Sequence, residues 1–344
     1  MKKKIGVLIV NLGTPDSAAT SDVRKYLIEF LTDERVIDKP WLQRQLLVRG
    51  IIAPFRAPES AKTYKEIWDS KTGSPLLHYS LGLAKNLQNV FDKADDDAEY
   101  IVELAMRYQT PNIPDALKRL QEKEVDKIIV FPLFPQYASA TTGSVHQYVM
   151  EIVGKWWEIP DISFINSYYD NDEMNEIFAN NGKAYGIENY DHVLFSFHGL
   201  PEGQLIKGNR HNHCTKVENC CSEIGEYNRY CYSAQCHATA KLIAQKCNLK
   251  EEDYTICYQS RLGKEEWVKP YTTNVIAQLA EQGKKKMLVF CPAFVADCLE
   301  TVFEVSVEYQ EEFEEKGGEH LQLVESLNDS YQWAEAIRNI VISH

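Results

Sequence analysis

No apolar run in the sequence approaches the roughly 18 residues of a membrane span. Basic charge is also scarce: 37 Lys and Arg against 50 Asp and Glu leave a net charge of −13. Nucleic-acid backbones are gripped by clustered cations that release counterions, so this balance argues against a nucleic-acid partner. An export signal is not evident either. The start, MKKKIGVLIVNLGTP, is basic, but its apolar run at 5–10 is shorter than a signal core and runs straight into Asn11 and Gly13. That stretch reads as a buried strand with a tight turn, and the expected location is the cytoplasm. Cysteine, by contrast, is plentiful. Nine cysteines without an export signal are expected to be reduced, metal-bound or buried rather than paired in a disulfide framework.

A chain of 344 residues, 44% hydrophobic and 25% charged, accommodates one large α/β domain or two ordinary ones. Apolar, β-rich runs recur at 5–10, 101–104, 127–131, 192–197, 254–258 and 286–290, with helix-like stretches between most of them. Short apolar strands alternating with helices imply parallel sheets covered on both faces. The sequence also repeats. VLIVNLGTP (7–15) echoes VLFSFHGLP (193–201), and KIIVFPLFPQYASATT (127–142) echoes KMLVFCPAFVADCLET (286–301). We therefore expect two similar, doubly wound α/β halves, with ligand chemistry beyond the carboxyl ends of the strands. The expected division is 1–170, 171–325, and a C-terminal helix at 326–344 returning to the first domain. Residues 36–58 mix apolar and basic side chains without one clean amphipathic period, which suits a pocket rim, a membrane-facing lip or an ordinary packed helix.

Asp297, Glu300, Glu304 and Glu308 follow the last of these runs at spacings of three, four and four. On an α-helix they would share one side, opposite Leu299, Val302, Phe303, Tyr309 and Phe313. For Glu308, Glu311, Glu312 and Glu315 a solvated face is the expectation. Glu300 and Glu304 differ because they come directly after a strand, where the first half carries hydroxyls instead. His198 ends another strand-like run and precedes a glycine. A lone histidine is more often structural than catalytic. If both strand ends face one crevice, however, His198 and Glu300 supply a base, an acid partner and two metal ligands, suited to moving protons while handling a divalent cation.

The segments VNLGTPDS, PLFPQYASATTGS, FSFHGLP, YQSRLGKEEWVKPYT and PAFVADCLETVFEV, in this order over essentially the whole chain, resemble the ferrochelatases. The resemblance implies two Rossmann-like domains of the class II chelatase kind, with parallel sheets and an active-site cleft between them. It implies insertion of Fe2+, the substrate metal, into protoporphyrin IX to form protohaem in haem biosynthesis, with release of two protons. His198 and Glu300 match the family's central catalytic pair and the ligands of the incoming iron. Glu304 and Asp297 match a proton and metal track. Leu12, Arg107, Tyr108, Tyr137, Ser139, Thr141, Thr142 and Trp267 match positions around the porphyrin, each with structural packing as its alternative. The lip at 36–58 could rest on the inner face of a membrane without spanning it. Two other functions stay open: a chelatase inserting cobalt or nickel into another tetrapyrrole, and a non-catalytic haem or iron carrier.

The resemblance has departures. Animal relatives carry histidine where this chain has Cys298, and hold a [2Fe-2S] cluster through a cysteine at the Ser139 position and a cysteine-bearing C-terminal extension. With Ser139 there and the chain stopping at His344, no animal-type cluster is expected. Instead Cys214, Cys220, Cys221, Cys231 and Cys236 crowd into an insertion at 208–236. Four thiolates could hold a [2Fe-2S] cluster or tetrahedral zinc, or the segment could hold no metal. Cys236 resembles a cysteine also found in cluster-free relatives, which makes it the weakest candidate ligand.

Overall fold

The computed structural model describes every residue except Met1, Arg210, Asn212, His213, Thr215, Lys216, Glu218, Leu262 and Lys264. Parts of the 208–236 insertion and of the YQSRLGKEEWVKPYT motif therefore lie outside the described residues. The chain divides into two compact units. The first comprises Met1–Phe134, Ala138–Ser167 and Asn328–His344, and the second Pro135–Tyr137 and Tyr168–Leu327.

Each unit is built on a four-stranded parallel sheet. The first sheet contains β1 (Lys3–Gly13), β2 (Ala98–Tyr108), β3 (Lys127–Pro132) and β4 (Asp161–Phe164), in the order β2-β1-β3-β4. The second contains β5 (His192–His198), β6 (Tyr254–Gln259), β7 (Lys286–Phe290) and β8 (His320–Leu323), in the order β6-β5-β7-β8. The two orders are the same, and each central strand pairs on both sides: Ile9 with Leu104 and Phe131, and Phe195 with Ile256 and Phe290. Val7 to Val10 are fully buried, as are Leu194, Phe195 and Phe197. Helices on both faces leave no solvated side, which is why these strands read as unbroken apolar runs. β4 and β8 escaped the sequence reading. They are four-residue edge strands with partly exposed side chains, too short and too mixed to stand out.

The repeat extends to the segments after the strands. Beyond β3 the chain forms a π-helical turn at Ser139–Gly143, and beyond β7 a longer π-helix at Leu299–Tyr309. The residue just past the second strand of each sheet has a left-handed backbone, φ 68° at Gln109 and 66° at Ser260. Its N–H donates to a glutamate in both cases, Glu29 at 3.1 Å and Glu304 at 2.9 Å. The π-helix also corrects the expected face of the acidic stripe. Bonding from i to i+5 widens the turn, so the inward side chains are Thr301, Val305 and Tyr309, continued by Phe313, while Val302 and Phe303 are only half-buried. Glu308, Glu311, Glu312 and Glu315 are exposed, as expected.

The helix Ser144–Val153 carries a buried histidine, His146, against Phe164. It bonds to the Ile165 backbone, Nε2 has no partner among the described residues, and burial depresses its pKa from 6.5 to about 4. Above pH 6.5 the ring is neutral in both folded and unfolded chains, and its packing contributes fully. As pH falls from there toward about 4 the unfolded chain takes up the proton first, so stability is lost. Urea unfolding at two pH values checks this. Stability should drop by roughly 2 kcal/mol more between about pH 7 and pH 5 in the native protein than in His146→Leu.

Candidate active site

In a sheet of this order the chain reverses its winding between the first and third strands of the unit, and ligands bind beyond the carboxyl ends at that switch. In the second unit the switch lies between β5 and β7. His198 is the last residue of β5, and Glu300 lies in the π-helix that follows β7. In the first unit the same place lies beyond β1 and β3; Leu12 is near the end of β1, and Ser139, Thr141 and Thr142 are in the π-helical turn that follows β3.

His198 is half-buried, with its ring 6.3 Å from that of Trp267 and 6.2 Å from that of Phe294. Its Nδ1 lies 2.6 Å from the Gly199 carbonyl oxygen. A carbonyl can only accept, so Nδ1 carries the hydrogen, and in the neutral ring Nε2 keeps its lone pair. Gly199 is needed here for close approach: its N–H donates to the Gln259 carbonyl at 2.8 Å, and an added Cβ would sit 2.9 Å from that oxygen and 3.1 Å from the Trp267 ring. Trp267 is buried over this bend, paired through its backbone with Pro201, and its Nε1 has no partner among the described residues.

Gln259 joins His198 to Glu300. It pairs with His198 in the β5–β6 register, accepts from Ser196 Oγ at 2.8 Å, and donates through Nε2 to the Glu300 carbonyl at 2.7 Å. The Glu300 carboxylate accepts from the Cys298 thiol, which burial first, and this negative neighbour next, push well above the ordinary thiol range. Glu304 is held by four donors: Ser260 N–H at 2.9 Å, Ser260 Oγ at 2.6 Å, Tyr309 Oη at 2.6 Å and Gln259 Nε2 at 3.3 Å. Asp297 is buried just before the π-helix and accepts from Thr301 Oγ1 at 3.0 Å. The three acids of the motif therefore have distinct settings: Glu304 is held by four donors, Asp297 accepts at both oxygens from Thr301 and the Ser326 N–H, and Glu300 accepts from the Cys298 thiol.

In the first unit Arg107 is committed to a buried neighbour that the sequence reading missed. Its Nη2 donates to Asp33 Oδ2 at 2.7 Å and its Nε to Ser144 Oγ at 2.7 Å, while its guanidinium stacks on Tyr108 and Tyr148 at 4.6 and 4.5 Å. Asp33 also accepts from Tyr108 Oη at 2.9 Å and Ser144 Oγ at 2.5 Å. Burial, followed by the charge of Asp33, pushes the Tyr108 phenol far above its ordinary range. Ser139 accepts from Arg35 Nη1 at 2.8 Å, Thr141 is half-buried, and the buried Thr142 hydroxyl has no partner among the described residues. Tyr137 belongs to the second unit, where its N–H donates to Gln235 Oε1 at 2.7 Å.

The cysteines of the insertion separate into four and one. Cys220 and Cys221 have sulfurs 3.8 Å apart, Cys221 bonds to Cys231, Cys231 to Cys214, and Cys214 to Cys220, which closes a ring of neighbours. Cys231 precedes the helix Tyr232–Lys246 and receives the Ala234 and Ser233 N–H groups. Its thiol falls to about 6, chiefly through the hydrogen bond from Cys221, whereas burial lifts Cys214 to about 11. Cys236 lies apart, fully buried within the helix and bonded to Tyr232. Among the described residues no three His, Cys, Asp or Glu side chains are already gathered around a metal position.

Comparison with known proteins agrees over the whole chain. The family model described as Ferrochelatase matches residues 4–344. The ferrochelatase of Legionella pneumophila (strain Lens) is 43% identical over 336 residues, 98% of either chain. That of Coxiella burnetii (strain Dugway 5J108-111) is 42% identical over 338 residues, covering 97% of this chain and 92% of the relative. Among solved structures, SirB from Bacillus subtilis with Fe3+ shares the fold at 10% identity, with a TM-score of 0.54 over 99% of this chain and 95% of that one. By family model and by identity alike, the chain belongs to the ferrochelatase family.

Proposed function

We infer that the protein inserts ferrous iron into protoporphyrin IX, forming protohaem and releasing two protons, and that His198 and Glu300 perform the chemistry. The observation that carries the residue assignment is the tautomer of His198. A ring that donates through Nδ1 to its own chain offers a lone pair at Nε2, which is what removing a pyrrole N–H proton requires. Glu300, tied to the same strand end through Gln259, is the matching carboxylate: it can take the second proton or exchange for water on the entering iron. Hard oxygen and borderline nitrogen ligands hold iron less tenaciously than thiolates, so they can release it to the macrocycle.

For Glu304 and Asp297 the hydrogen bonds favour anchoring over transport. A track through Glu304 would require it to give up Ser260 and Tyr309. Trp267 supplies a flat apolar wall beside His198, and Leu12, Tyr137, Ser139, Thr141 and Thr142 are the remaining porphyrin-binding assignments. Arg107 and Tyr108 act at one remove, since both are engaged by Asp33.

The neighbouring thiols of Cys214, Cys220, Cys221 and Cys231 supply the donor set for a [2Fe-2S] cluster, which would have to draw them together around it. Cluster ligands are thiolates, and Cys231 is the thiol its surroundings most readily deprotonate. Such a group supplies one-electron chemistry when bound.

Peripheral membrane contact is supported by Trp41, Leu42, Leu46, Ile51 and Phe55, all more than half exposed in the lip, with Lys39, Arg49 and Arg56 among them. No described helix is long and apolar enough to cross a membrane.

Three measurements test these assignments. Anaerobic incubation with ferrous iron and protoporphyrin should give haem by absorbance, and His198→Ala should lower kcat at least ~100-fold; undiminished turnover in that variant would sink the assignment. Protein purified anaerobically should carry iron and acid-labile sulfide in about equal amounts. Serine at position 214, 220, 221 or 231 should remove both and serine at 236 neither, whereas their absence from native protein under every preparation counts against the cluster. Sedimentation with anionic vesicles should capture the native protein and lose most of a Leu46→Ser, Phe55→Ser double variant; equal capture of both would rule out the lip.

A further inference from the structure

The helix Tyr232–Lys246 starts between the thiol ring and His198. Its first residue, Tyr232, is buried and donates its hydroxyl to the His198 carbonyl at 2.8 Å. The residue immediately before it is Cys231, a member of the ring. The residue after it, Ser233, is also buried, places its hydroxyl 3.3 Å from the Cys221 sulfur and shares a 2.7 Å hydrogen bond with the Tyr258 hydroxyl. Tyr258 lies on β6, one residue before Gln259.

Asn228 closes the assembly from the other side. Its side-chain amide donates to the Cys220 and Glu223 carbonyls, each at 2.8 Å, and its own carbonyl accepts the Cys231 N–H at 2.7 Å. The backbone around the ring is thereby fixed to the start of the helix, and the start of the helix to the residue that ends β5. These hydrogen bonds are partly or fully buried, so displacing one end without displacing the other would leave polar groups short of partners at a cost greater than the bonds themselves contribute.

We propose that Tyr232 is a positioning residue for iron insertion: it holds the main chain of His198, and through it the arrangement of the four-thiol site sets where the imidazole lies. The proposal rests on the assignment of His198 as the proton acceptor. Tyr232 bonds to the carbonyl and not to the ring, so its effect is on orientation, while Nδ1 remains bonded to Gly199.

The test uses the full-length protein with nitrogen-15-labelled histidine. It reads the ring resonances of His198, assigned by their loss in His198→Ala, beside kcat and KM for iron insertion. Tyr232→Phe keeps the ring and removes the hydroxyl. It should shift the His198 resonances and lower kcat about tenfold, with KM for porphyrin within about twofold, because a group that orients a base acts mainly on the transition state. Cys220→Ser should move the same resonances in the native background and leave them in place in Tyr232→Phe, the signature of coupling through that hydroxyl. Should Tyr232→Phe fold poorly, Ser233→Ala serves as the second background and should also blunt the response to Cys220→Ser. Resonances indifferent to Tyr232→Phe, or moved equally by Cys220→Ser in every background, would overturn the proposal. Full turnover by His198→Ala would instead overturn the catalytic assignment, leaving the resonance shifts to decide whether Tyr232 links the two places.

Discussion

The side chain of Gln259 is the tie on which the proposed catalytic arrangement depends. Its oxygen accepts from Ser196 on β5, its nitrogen donates to the Glu300 carbonyl and toward Glu304, and its main-chain oxygen receives Gly199. It is almost fully buried. In such a place an amide that loses one partner bears the whole desolvation cost of the orphaned group, so the contacts stand or fall together. One residue at the end of β6 thus fixes the bend after His198 and the start of the π-helix after β7. The strand order explains why this is the place to do it: β6 and β7 flank β5, and the reversal of winding beside β5 opens the sheet end where a ligand can enter.

The two units apply one plan to different chemistry. In each, the residue beyond the second strand turns into the left-handed region and donates to a glutamate. In each, the chain after the third strand enters a π-helical turn. The first unit fills these positions with hydroxyls and a buried Asp33–Arg107 ion pair, whose partner Ser144 bonds to both members. Breaking such a pair strands a charge in a poorly solvated place. The second unit fills them with carboxylates and an imidazole whose lone pair is left open, so the repeat has specialised at one of its two sheet ends.

The sequence made much of this readable, for a physical reason. The central strands β1, β3, β5 and β7 are buried almost throughout and write themselves as apolar runs, and the edge strands β2 and β6 are buried toward their carboxyl ends, whereas β4 and β8 are four-residue edges with mixed exposure. His198 and Glu300 stood out because strand ends with polar chemistry are conspicuous against those runs. The π-helix was not readable, since its wider turn leaves no period that four acids at spacings of three and four distinguish from an α-helix. Asp33 gave no local signal, because a buried ion pair across 74 residues of chain is a tertiary fact. Gln259 and Ser260 lay within a motif already noticed, yet their partners come from the π-helix and could not be assigned from spacing. The five cysteines were visible as a group, but only folding separates Cys236, turned into its helix, from the four whose sulfurs adjoin.

The proposed chemistry depends most directly on where a porphyrin lies. A crystal structure with metal-free porphyrin bound is predicted to show Nε2 of His198 and the carboxylate of Glu300 directed at the central nitrogens, with Trp267 along the macrocycle and Gln259 still bonded to the Glu300 carbonyl. A macrocycle bound with both His198 and Glu300 beyond reach of its nitrogens would contradict it.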